Sequence, residues 1–282
     1  MKTTHLFTLV ALSVLILSSC KKDPNNPAGA NCDAMEVGLQ STHVIIEQTG
    51  TWCPTCGGEK DEIQIGIDHS PRVHHMAVHG GDDPFANDRT QDFRSAIIRS
   101  PYFPTLMGSI NPTFIDYILD ETPKTQVKLD VSKEGNVLKI KAKIEILGNY
   151  EYARENGCGV FIDGVQVNVY DYKSLNIGLY LLEDGLDYNQ AAYGAFTHND
   201  VMRDYISVRP QGDMVTDFGE AVSMGDSFCL YYEYDLGANT YHENIENCKI
   251  LALIVEGNKC ETTETEWFLH FKGSDMFPLG GL

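Results

Sequence analysis

The chain has 282 residues, 43% of them hydrophobic, with 40 acidic against 21 basic side chains and a formal net charge of −19. It is apolar enough to build real cores. Its acidity leaves no basic footprint for nucleic acid, which excludes that class of partner and points to no one ligand.

Residues 1–19 read as a signal peptide, with Lys2 in a polar start and an apolar core over Leu6–Leu17. That core is too short to span a membrane comfortably. Leu17-Ser18-Ser19-Cys20 looks like a lipobox, which would make Cys20 the lipidated N-terminus and the membrane anchor. Ordinary secretory cleavage is the alternative. Lys21-Lys22-Asp23 places no Asp directly after the Cys. By resemblance to lipoprotein sorting in Gram-negative bacteria, that favours an outer-membrane, lipid-anchored protein facing the periplasm or displayed on the surface. Residues 20–34 are then a lipidated tether, polar and rich in Pro and Asn over Asp23–Ala30.

Residues 35–124 alternate strand and helix. The pattern predicts a strand at His43–Gln48, a helix from Pro54 to about Ile67 and a strand at Arg72–His79. A helix over Asn87–Arg99, N-capped by Asn87, follows; then come a short strand to Ile110 and a helix opened by Asn111-Pro112. Such alternation implies a sheet with parallel strands, here an α/β thioredoxin-like domain. Between the first strand and its helix lies Thr49-Gly50-Thr51-Trp52-Cys53-Pro54-Thr55-Cys56. A CxxC pair at that junction is the pattern of a thioredoxin-like redox site. Cys53 would sit at a helix N-terminus, where unpaired N–H groups and the helix dipole favour a thiolate, with Cys56 placed to resolve a mixed disulfide. A plain disulfide is the main rival. Half of a zinc site is the other, although no second CxxC exists to complete it.

Glu47, on the strand before the motif, is either a buried proton acceptor for Cys56 or a solvent-facing side chain. A cis-proline beside the pair would be Pro104, within Phe103-Pro104-Thr105, with Pro112 as runner-up. His74, His75 and His79 suggest metal at first sight. On a strand, however, His75 and His79 stand roughly 13 Å apart, too far to chelate one ion. No metal and no cofactor is expected.

From Thr125 the period changes to two, predicting an all-β sandwich domain over 125–282. Leu138, Ile140, Ala142, Ile144 and Ile146 alternate with Lys139, Lys141, Lys143 and Glu145, the pattern of a half-exposed strand whose lysines are either a binding patch or the solvated face of an edge strand. Further strands are expected at Gly159–Val169, Asn176–Leu182, Ser227–Leu236, Lys249–Glu256 and Glu266–Phe271. His198-Asn199 reads as a polar loop that hydrogen-bonds its own turn or as a functional pair, and Tyr231, Tyr232 and Tyr234 as cross-strand packing or a ligand surface. Setting aside Cys20 and the CxxC pair leaves Cys32, Cys158, Cys229, Cys248 and Cys260. That number is odd, so at least one is free or pairs outside the chain. Cys248 and Cys260 are not expected to pair, and Cys32 is expected to be exposed on the tether.

Three segments taken in order carry a family resemblance: Thr49–Cys56, then Ala77-Val78-His79-Gly80-Gly81-Asp82-Asp83-Pro84-Phe85, then Phe103-Pro104-Thr105. With Thr197-His198-Asn199-Asp200-Val201-Met202-Arg203 and the apolar strand at Asn247–Gly257, the chain resembles the Omp-twenty-eight-related outer-membrane lipoprotein family. The match runs from about 43 to 260. It implies a thioredoxin-like domain followed by a β-domain. Pro54-Thr55 is a variable dipeptide, and Tyr150–Lys173 looks like an insertion.

Two functions follow. One is an envelope thiol–disulfide oxidoreductase with Cys53 as nucleophile, Cys56 resolving, Glu47 accepting the proton and Pro104 shaping the groove. The other is a surface binding or adhesion lipoprotein whose CxxC is a structural disulfide. Either way the partners are envelope or extracellular proteins. Burial of Cys53 separates the two: an accessible Cys53 favours turnover, a buried one the staple.

Overall fold

The computed structural model describes residues 31–282, apart from 163–164, 239–240 and 262–265. The expected signal peptide, Cys20 anchor and tether up to Ala30 lie outside the described residues. In chain order the first strands are β1 His43–Thr49, β2 Val73–His79, β3 Thr105–Met107, β4 Thr125–Glu134 and β5 Val137–Ile146. The long hairpin β6 Ala153–Ile162 and β7 Val165–Glu183 follows, then β8 Leu186–Gln190, β9 Gly194–His198 and β10 Val201–Tyr205. The last are β11 Asp213–Met214, β12 Ser227–Asp235, β13 Cys248–Cys260 and β14 Glu266–Pro278. The helices are α1 Pro54–Gly58, α2 Lys60–Asp68, α3 Asp88–Phe93 and α4 Pro112–Asp120, with a π-helical turn at Arg94–Ile98 continuing α3. None of the described helices is long and apolar enough to cross a membrane.

The expectation of an α/β thioredoxin-like domain followed by a separate β-sandwich is corrected by the sheet order. One mixed sheet of nine strands runs β14-β13-β7-β10-β2-β1-β3, with β6 and β11 also pairing β7. β1 and β2 are parallel, and β3 lies antiparallel on β1. β10, which the sequence reading missed, joins β2 to β7 through Val201 opposite Ala77 and Tyr205 opposite Tyr180. The helices are few and short, and strands from both halves of the chain share one predominantly β structure.

The physical reason lies in β7 and β13. Over Leu175–Leu182 and Ile250–Val255 these strands are almost continuously apolar, the pattern of strands covered on both faces. Leu175, Ile177, Leu179, Leu181, Ile250, Ala252 and Ile254 pack against β4, β5 and β12, which form a three-stranded sheet of their own. Tyr180, Leu182, Leu251, Leu253 and Val255 point the other way and share a core with Val44, Ile46, Met76, Val78, Phe93 and Ile97. The opposite face of β1 and β2 is covered by Ile115 and Leu119 of α4.

Three details differ from the sequence reading. β5 is the centre of its sheet, not an edge, and its lysines are engaged: Lys139 pairs with Glu233, Lys141 with Asp130 and Lys143 with Glu145. Gly159–Val169, expected as one strand, is divided between β6 and β7. Cys32 is buried in a disulfide with Cys229, while Cys158 pairs with Cys260. Among the described residues Cys248 is the free cysteine, and burial, helped by nearby Glu183, pushes its thiol up to about 12.

Candidate functional site

β1 carries Glu47 and ends at Thr49, and the turn Gly50-Thr51-Trp52 delivers Cys53 to the start of α1. Cys53 caps that helix, its Sγ accepting the Cys56 N–H at 3.2 Å. Cys53 and Cys56 form a disulfide. Cys53 is 3% exposed and Cys56 4%. By the criterion set from the sequence, this burial favours the staple.

The burial has identifiable sources. Gln190, at the end of β8, donates from its Nε2 to Gly50 O at 3.1 Å and to Cys53 O at 2.7 Å. Ala191 N donates to Thr51 O at 2.7 Å. The β8–β9 hairpin is thereby clamped onto the CxxC turn. Tyr193 of the same hairpin lies on α1 so closely that a Cβ at Gly57 would stand 2.4 Å from its ring. On the other side, the Trp52 ring is fixed by its Nε1–H donating to Gly80 O at 3.0 Å, and it lies against Gly50 and Gly81. Trp52 also meets Phe103 edge-on at 4.8 Å. The Phe103–Pro104 peptide is cis, and the following residue, Thr105, pairs with Gln48. Pro104 lies between Phe103, which touches Trp52, and Thr105, which pairs with β1, whereas Pro112 opens α4 as a helix-start proline.

Behind Cys56 lies a cavity of about 70 Å³ whose lining includes Glu47, Cys56, Lys60, His75, His79 and His198. Glu47 is buried, with His75 Nε2 at 3.8 Å, an ion-pair separation beyond hydrogen-bond reach. His75 Nδ1 stands 3.1 Å from Asp200 Oδ2, and Asp200 in turn pairs with Lys249. Burial alone would lower the His75 pKa, but Asp200 and Glu47 outweigh it and raise it to about 9. His79 Nδ1 lies 3.1 Å from Asp83 Oδ1, and Asp83 accepts the N–H groups of Thr51 and Phe85. Burial would raise the Asp83 carboxyl, yet His79 and those two amides hold it below its ordinary value. His198 packs edge-on against His79 and Phe85, and burial with neighbouring His79 lowers its pKa to about 4. Among the described residues no group of three or more His, Cys, Asp and Glu side chains is arranged to hold a metal ion.

The structure thus brings Cys56, bonded to Cys53, and Glu47 to one cavity, while Pro104 is linked to the CxxC turn only through Phe103 and Trp52. It adds Gln190, Asp83 and Tyr193, none of which the sequence reading singled out. It also corrects one assignment, because His198 is buried in this cavity wall rather than part of a polar loop. On the outer side of the CxxC turn runs a groove of about 340 Å³ lined by Thr51, Trp52, Asp82, Pro84, Tyr188 and Asn189, with Gln190 and Ala191 at its base.

No family model matches the chain. No curated protein matches it either. Among solved structures, HBP35 of Porphyromonas gingivalis is similar with a TM-score of 0.60 at 17% identity, over 87% of this chain and 77% of that one. A protein of Agrobacterium tumefaciens gives a TM-score of 0.48 at 10% identity, over 87% of this chain and 98% of the other. The first likeness shows that this overall fold recurs in HBP35 of Porphyromonas gingivalis.

Proposed function

We propose that the protein is a lipid-anchored cell-envelope protein that acts by binding, and that Cys53–Cys56 is a structural disulfide beneath its binding surface. The observation that carries this reading is the burial of both cysteines under the Gln190 clamp and Tyr193. A catalytic disulfide has to present one sulfur to the attacking thiolate of another chain. The lipobox ending at Cys20 and the absence of Asp after it support anchoring at the outer membrane. The ordered motifs resembling the Omp-twenty-eight-related family support the same placement.

Thiol–disulfide exchange is the second reading, favoured by one observation: Glu47 and Cys56 line the same cavity. In that case Cys53 attacks, Cys56 resolves and Glu47 takes the proton. Trapping in the native envelope separates the two. The staple reading predicts that Cys53→Ala and Cys56→Ala give equal, low levels of reducible adducts, with a lowered Tm in each. Accumulation of adducts in Cys56→Ala alone would overturn it in favour of exchange.

A further inference from the structure

We infer that the groove beside the CxxC turn is a subsite for a basic side chain, lysine or arginine, presented by a partner polypeptide. This rests on the binding reading and names the chemistry of the partner.

The groove has two fixed aromatic rings and one free carboxylate. Trp52 is 45% exposed although its ring is held by the hydrogen bond to Gly80 and by contact with Gly50, Gly81 and Phe103. Tyr188 is 49% exposed and meets Phe85 edge-on at 5.9 Å. Half-exposed rings that are already immobilised lose little entropy when a ligand covers them. Asp82 is exposed and, among the described residues, has no ion-pair or hydrogen-bond partner. The lining residues include no Lys, Arg or His to neutralise it. A carboxylate beside aromatic faces attracts an organic cation by charge and by the ring quadrupole. The net charge of −19 adds long-range attraction for a basic partner and repels an acidic one.

The size of the groove argues for a polypeptide rather than a free amine. About 340 Å³ exceeds what one ammonium needs and leaves room for flanking main chain. The Asn189 carboxamide, also without a side-chain partner among the described residues, offers a donor and an acceptor to that main chain.

The test titrates the full mature chain, at low and then physiological salt, with an acetylated and amidated Gly-Gly-Lys-Gly-Gly peptide. Binding is followed by NMR shifts of the Trp52 indole N–H. The comparison probes are the same peptide with Nε-acetyl-lysine, putrescine and N-acetylglucosamine. The expected result is saturable binding of the lysine peptide, weakened at least tenfold by Asp82→Asn and by lysine acetylation. Asp82 is exposed, so Asp82→Asn retains the fold; Tyr188→Leu provides a second variant that spares Trp52. Equal affinity of the wild-type and Asp82→Asn proteins overturns the proposal. Putrescine binding as tightly as the peptide overturns the polypeptide assignment, and N-acetylglucosamine binding in the groove overturns the cation. None of these outcomes depends on whether Cys53–Cys56 exchanges, which the adduct-trapping experiment reads separately.

Discussion

At the residue scale, His75 and His198, two of the histidines lining the cavity, have pKa values shifted in opposite directions. His198 has a folded pKa of about 4 against an ordinary 6.5, so below pH 6.5 the unfolded chain binds the proton more readily. Its contribution is a loss of stability as pH falls from 6.5 to 4. His198→Gln should therefore flatten that part of the thermal-stability profile, and an unchanged acid limb contradicts the assignment. His75, raised to about 9, contributes stability that is complete below pH 6.5 and fades as pH rises through 9. His75→Gln should remove that alkaline loss. It should also destabilise the protein near neutrality by about 3 kcal/mol, because Glu47 is left as a buried, unpaired carboxylate. Glu47, Cys53 and Cys56 were legible in the sequence because short spacing places them together whatever the rest of the chain does, whereas Pro104, far along the chain, was legible only from the strand that follows it. His198 was not, because its burial comes from Phe85 and His79, more than a hundred positions away in the chain.

At the element scale, the β8–β9 hairpin governs access to the disulfide. Gln190→Ala leaves the carbonyls of Gly50 and Cys53 without their side-chain donor, costing about 1–3 kcal/mol. It should also speed reduction of Cys53–Cys56 by dithiothreitol, measured by thiol alkylation over time. An unchanged reduction rate would mean that the hairpin does not shield the pair. Helix starts were readable from local chemistry. Asn87 caps α3 in a reciprocal box with Thr90, and Asn111 caps α4 ahead of Pro112. The helix expected from Pro54 to Ile67 is interrupted at Glu59, and that expected over Asn87–Arg99 finishes in a π turn before Arg99 at φ 54°. The short strands β8, β9 and β10 escaped notice because segments of five residues carry too little periodicity to register.

At the scale of the whole molecule, the shared core makes the two halves interdependent. A fragment of residues 35–124 lacks Tyr180, Leu182, Met202, Leu251, Leu253 and Val255, against which Val44, Ile46, Met76 and Val78 pack. The full chain should melt in a single transition, and this fragment should show no cooperative one; a fragment that melts cooperatively contradicts the account. The period change near Thr125 marked a real change in element type, but the sequence could not show that β7 and β13 use both faces. A fully apolar strand reveals that it is covered, not what covers it. Loop length also ranks the disulfides. Cys158–Cys260 closes a loop 102 residues long and should contribute about 4–5 kcal/mol, while Cys53–Cys56 spans 3 and contributes about 2. Paired Cys→Ser variants, compared by denaturant unfolding, should follow that order. The reduction potential of Cys53–Cys56, read by equilibration with a dithiothreitol buffer and mass spectrometry of the alkylated Trp52–Lys60 segment, distinguishes a staple from a redox site most directly. A structural staple predicts a value below about −300 mV, whereas a value near that of thioredoxin, about −270 mV, or higher would contradict it.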